Sequence, residues 1–114
     1  MAERVVAITR IHGIAGRRDE LRALMLETQR RTTAEPGCLR YAFAISLGEA
    51  DEYVHVQEWM DAAAFAAHQR AEAFRDYQHG LVDLLARPSE MEVHHISATI
   101  APEPSGPPDP RTAD

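Results

Sequence analysis

The chain reads as an α+β protein of the ferredoxin-like type, in the order βαββαβ with a four-stranded antiparallel sheet. Three observations carry that reading. Short runs rich in β-branched and aromatic residues alternate with stretches of helical period. Pro36-Gly37 punctuates the passage from the first helical stretch to the second strand. The two central strands are separated only by Gly48-Glu49-Ala50-Asp51, a spacing that suits an antiparallel hairpin.

Arg4–His12 is the first strand, bounded by Gly13 and Gly16. Its alternate positions put Val5, Ala7, Thr9 and Ile11 on one face and Val6, Ile8 and Arg10 on the other. From Arg17 to about Ala34 the apolar stripe is Leu21, Leu24, Met25 and Thr28, the pattern of a helix packed on one side. Pro36 disfavours helical geometry at Glu35, and Gly37 accepts a positive φ, so the helix stops there. Cys38–Leu47 and Glu52–Met60 form the hairpin. Asp61 is placed to cap a short helix through about Arg70, a second helical stretch spans Glu72–Ala86, and Glu90–Ile100 is the last strand. Residues 1–100 thus make one domain, and 101–114, with five prolines in fourteen residues, is a disordered or extended tail. Helices on one side of such a sheet leave its other face bare. Because that face is also apolar in this chain, a homodimer is expected to cover it.

Composition narrows the function. A net charge of −6 gives no concentrated basic face, so no nucleic-acid partner is expected. No apolar run approaches the roughly 20 residues that span a bilayer, and the N-terminus lacks the apolar core of a signal peptide. With Cys38 as its single cysteine the chain has no internal disulfide, and a cytoplasmic location is expected.

The six histidines do not pattern as a metal site. His94 and His95 leave opposite faces of a strand, His68 and His79 lie on different helical stretches, and one thiol builds no thiolate cage. Cys38 reads as packed rather than nucleophilic, and no glycine-rich phosphate loop follows a strand. What remains is an aromatic and imidazole group that the fold brings together: Tyr41, Trp59, Phe65, His68, Phe74 and Tyr77. Taken singly, each reads as ordinary core. Taken together, they also suit a pocket for a flat apolar ligand, and the break around Gln69–Glu72 opens room for it. Whether His68 and Tyr77 face one cavity stays open at this point.

The order Glu35-Pro36-Gly37-Cys38 with Tyr41, then Glu58-Trp59, then Phe65-Ala66-Ala67-His68 resembles the antibiotic biosynthesis monooxygenase family over roughly residues 4–98. The resemblance implies dimers whose sheets pack into an α+β barrel. It also implies oxygenation of quinols or polycyclic phenols with O2, without metal or flavin and with no other cofactor. On that view His68 is the base or orienting group, Trp59 and Tyr77 position the ring, and Thr9 or His55 supplies a hydrogen bond. Phe65, Phe74 and Tyr41 complete the lining. A non-catalytic dimeric domain that binds an aromatic ligand or serves a stress response is the alternative. Departures from relatives are visible. Ala73 stands where many have a second histidine, and the haem-degrading branch's asparagine on the first strand falls at Thr9, in a chain without asparagine. Haem degradation is therefore disfavoured, and the aromatic lining argues against a sugar-phosphate isomerase.

Overall fold

The computed structural model describes residues 2–112. Its strands are β1 (Arg4–His12), β2 (Cys38–Ile45), β3 (Glu52–Trp59) and β4 (Glu90–Ile96); its helices are α1 (Arg18–Thr32), α2 (Ala62–Gln69) and α3 (Glu72–Leu81). A 3₁₀ turn at Ala15–Arg17 leads into α1, and another lies at Pro110–Thr112. The sheet runs β2-β3-β1-β4 with every neighbour antiparallel, which is the ferredoxin-like order expected from the sequence. No helix among the described residues is long and apolar enough to cross a membrane.

Local chemistry explains the joints. The turn after α1 is closed by Glu35 N–H donating to Thr32 O at 2.9 Å and Cys38 N–H donating to Glu35 O at 3.2 Å. Gly37 takes φ 80°, and a Cβ there would meet Ala64 Cβ at 2.6 Å, so conformation and space both demand glycine. Asp61 caps α2 by accepting from Ala64 N–H at 2.8 Å. Ala71, extended at ψ 151°, breaks the helical path and sets α3 at a new angle.

Several elements end a residue or two earlier than the sequence pattern predicts, the second strand at Ile45 and the first helix at Thr32, and two end four or five residues early. The helix expected to run to Ala86 stops at Leu81, because the end of β1 captures the following residues. Ile14 N–H donates to Leu84 O at 2.9 Å and Ala86 N–H donates to His12 O at 2.8 Å, with Leu85 bridging Gly13. The last strand stops at Ile96 rather than Ile100, since its partner Arg4 is where β1 begins. Beyond it, residues 101–109 are without helix or strand and almost wholly exposed.

The inner sheet face carries two apolar clusters. At one end Val5, Ala7, Tyr41, Trp59 and Phe65 pack under α2. At the other, Ile11 and Tyr53 pack against Leu21, Met25 and Leu84. Between them β1 and β3 present a polar band of Thr9, His55 and Gln57, all buried. On the outer face Val6, Ile8, Val54 and Val56 are only half-buried, with no helix over them.

Candidate functional site

Thr9 and His55 are cross-strand partners on β1 and β3, so their side chains leave the sheet together toward α3. From α3 come Phe74 and Tyr77, three residues apart and therefore on one helical face. Between them and the sheet lies a chamber of about 110 Å³, lined by Thr9, His55, Gln57, Phe74, Tyr77 and, from the edge strand, Met91. Leaving polar atoms buried and unpaired costs roughly 1–3 kcal/mol each, so their concentration here calls for an explanation. Thr9 Oγ1, His55 Nε2 and Tyr77 Oη all lack a hydrogen-bond partner. The chamber shares Gln78, Leu81 and Ser89 with an outer depression, or vestibule, of about 480 Å³, so the two adjoin across these residues.

His55 is 2 % exposed. Phe43 stacks on its ring at 4.1 Å and Tyr41 meets it edge-on at 4.3 Å. With no carboxylate nearby, burial pushes its pKa down to about 3, with a smaller contribution from His68, so the imidazole is neutral at any working pH. Burial raises the Tyr77 and Tyr41 hydroxyls well above the ordinary phenol value, so both stay protonated.

His68 is 1 % exposed but sits in a different setting. Its ring stacks on Trp59 at 4.8 Å and touches Phe74 at 5.1 Å. Nδ1–H donates to Glu35 Oε1 at 2.9 Å, which fixes the tautomer and leaves Nε2 buried and unpaired. Burial still brings the His68 pKa below its ordinary value, while the hydrogen bond and charge of Glu35 oppose the drop. The far side of the His68–Glu35 pair opens on an apolar groove of about 440 Å³ beside Pro36, Met60 and the α2 alanines.

The structure thus gathers Thr9, His55, Phe74 and Tyr77 around one chamber. Tyr41 packs directly behind His55, while Trp59 and Phe65 lie in the apolar cluster, with the Trp59 indole N–H donating to Gln57 Oε1 at 2.8 Å. His68 and Tyr77 do not line a common cavity; Phe74 stands between them. Two residues escaped the sequence reading. Gln57 could have been found, because it alternates with His55 and Trp59 on the inner face of β3. Glu35 was legible only as turn punctuation, since its partner is 33 positions away.

Other chemistry is poorly served. Burial and Glu35 raise the Cys38 thiol, which leaves it unactivated. His12, Glu49 and Glu52 bring ligand atoms within 4.8 Å of one another, but the Arg87 guanidinium already donates to His12 Nε2 at 2.9 Å, where its charge would repel a cation.

Known proteins place this architecture. The solved structure of Rv0793 from Mycobacterium tuberculosis is similar at a TM-score of 0.79 and 26 % identity, over 86 % of this chain and 99 % of that one. Protein SO0527 from Shewanella oneidensis gives 0.77 and 25 %, over 84 % and 93 %. The uncharacterized protein sll1783 from Synechocystis is 28 % identical over 83 residues, or 73 % of this chain; the chain spans 56 % of that relative's length. A model of the antibiotic biosynthesis monooxygenase family matches residues 4–80, which carry the first three strands, all of α1 and α2 and nearly all of α3. The chain belongs to the antibiotic biosynthesis monooxygenase family.

Proposed function

We propose that this protein oxygenates an electron-rich hydroquinone or phenol ring held in the chamber, with O2 as co-substrate and the ring as reductant. For a hydroquinone, one atom of O2 replaces a ring hydrogen and the other leaves as water, and the product is a hydroxyquinone. The ring gives up the four electrons that O2 takes, so the protein need only bind, orient, accept the phenolic proton and exclude water. The observation that carries this reading is the polar band set between two apolar clusters. Thr9 Oγ1, His55 Nε2 and Tyr77 Oη are buried, unpaired and ready to meet the hydroxyls of a flat ring. His68, on the other side of Phe74, takes the proton on Nε2 with Glu35 stabilising the imidazolium, which requires the Phe74 ring to turn aside so that ring and base meet.

Size narrows the substrate. A cavity of about 150 Å³ is known to hold one benzene ring, and this chamber measures about 110 Å³. The space is close to the size of a single ring and must widen slightly to admit one, so a single ring suits it better than a fused polycycle or a haem. In the same reading a second copy of the chain covers Val6, Ile8, Val54 and Val56 on the outer sheet face, a proposal that light scattering checks directly.

Oxygen uptake by metal-free protein with a panel of hydroquinones tests the activity. Uptake is expected with single-ring substrates and is expected to be lost in His68→Ala. Ligand binding without any oxygen consumption would instead make the chamber a non-catalytic aromatic-binding site.

A further inference from the structure

We propose that the ligand of the inner chamber carries a short anionic arm, a carboxylate, that lies in the outer vestibule and pairs with Arg87. The proposal rests on the reading of the chamber as the ring-binding site and specifies what else its ligand must bear. Three features of the vestibule point to it.

The vestibule adjoins the chamber across Gln78, Leu81 and Ser89, so a substituent on a ring inside that points to this side is directed at it. Its volume of about 480 Å³ is more than the inner 110 Å³ space, so an arm has more room there than a second fused ring has inside. Its walls are mostly aliphatic, from Leu81, Val82, Leu85 and Pro88, and Arg87 is the one charged residue among them. Arg87, Val82 and Pro88 are exposed, so an anion that pairs with Arg87 does so at the surface, weakly and subject to salt screening.

Arg87 is also held ready without being neutralised. Its guanidinium donates to His12 Nε2 at 2.9 Å, and the neighbouring Ala86 N–H is pinned to His12 O at 2.8 Å. Among the described residues Arg87 has no carboxylate partner, a state it shares with Arg4, Arg10, Arg22, Arg40, Arg70 and Arg75, but of these it alone lines the vestibule. Glu49 and Glu52 gather on the His12 ring instead. In a chain of net charge −6, an unpaired guanidinium held at the mouth of a buried polar chamber is suited to select an acid. Ser89 and Gln78 stand at the junction as neutral hydrogen-bonding partners.

The test is calorimetric binding of two redox-inert probes of nearly equal shape, 4-hydroxyphenylacetate and 4-hydroxyphenylacetamide. In the unaltered protein the acid is expected to bind roughly fivefold tighter, a preference that shrinks as salt is added. Arg87→Gln is expected to bring the ratio close to one, and Arg87→Lys to restore part of it. Tyr77→Phe should weaken acid and amide alike, which ties both to the chamber. Equal affinities in the unaltered protein, a preference that survives Arg87→Gln, or no binding of either probe each overturns the proposal. Oxygen consumption is not read, so a chamber that binds the acid but never turns over a hydroquinone sinks the enzymatic reading alone. Hydroquinone turnover with no preference for the acid sinks only the anionic arm.

Discussion

His55 and His68 lie on the same side of the sheet, almost equally hidden from solvent, and burial lowers the pKa of both, yet only at His68 does a carboxylate oppose the drop. His55 is walled by Phe43, Tyr41 and Thr9 and has no acid to compensate a charge, so its pKa falls to about 3. His68 is equally hemmed in by Trp59 and Phe74, but Glu35 supports its Nδ1–H at 2.9 Å. Burial alone does not make a base. A buried imidazole can accept a proton only where a fixed counter-charge offsets lost hydration. On the proposed reading His55 stays neutral and makes hydrogen bonds, and His68 is the group that takes the proton.

The largest expected effect follows from that division. His68→Ala should lower kcat for hydroquinone oxygenation about 100-fold or more, within the range for loss of a general base. His55→Gln should leave kcat within a few-fold and raise KM about tenfold, because a hydrogen bond to bound ring is lost rather than a proton acceptor. Steady-state oxygen electrode measurements on both variants decide it. The opposite split, with kcat collapsing in His55→Gln, would exchange the two roles.

Stability against pH separates the two sites next. As pH falls, an unfolded chain protonates His55 near 6.5 while the folded chain resists until about 3. The unfolded state then binds more protons, so folding stability is fully present above about 6.5 and drains away toward 3. Between about pH 7 and 4.5 that loss is on the order of 2 kcal/mol. His68 pulls in the same direction, because its folded pKa is also lowered. His55→Gln should flatten the decline by about 2 kcal/mol in urea titrations. An unchanged slope would mean that His55 is protonated in the folded state. Glu35→Gln comes third. It keeps an acceptor for Nδ1–H but removes the charge, so folding should change by less than about 1 kcal/mol while kcat drops roughly tenfold. The acid limb of the kcat profile should also move to lower pH, since without the carboxylate the His68 pKa falls further and its imidazole stays free of the proton deeper into acid. A matching loss of stability and activity would make Glu35 merely structural.

How far these sites could be read beforehand depends on sequence distance. Pro36-Gly37 and Asp61 act within their own turns, so the ends of α1 and the start of α2 were legible from local rules. The alternation Tyr53, His55, Gln57, Trp59 told which face His55 shares with Thr9 once β1 and β3 were paired. The stop at Leu81 was not legible, because it depends on carbonyl and amide groups at His12 and Ile14, donated from the far end of β1. Nor was the separation of His68 from Tyr77. Both fall on the inward stripe of a broken helix, and only the angle set at Ala71 decides that Phe74 comes between them.

Phe74 therefore offers the smallest and most discriminating change. Its ring is half-buried, touches His68 at 5.1 Å and forms a wall of the 110 Å³ chamber, so it limits both the size of the ligand and its access to the base. Phe74→Leu keeps the apolar character but shortens the wall, at a cost of about 1 kcal/mol in stability because the site is only partly enclosed. The chamber should then extend toward His68. A two-ring naphthol should gain about threefold in affinity, while a single-ring phenol, already accommodated, should change little. Calorimetry with the two ligands gives the ratio without any need for turnover. An equal gain for both would mean that Phe74 gates entry rather than size. No gain for either would mean that the wall on the His68 side is set by Tyr41, whose ring sits 5.4 Å from His68 and 4.3 Å from His55. In that case the Tyr41 ring would divide the two imidazoles, and His68 could reach a substrate only from the groove beside Glu35.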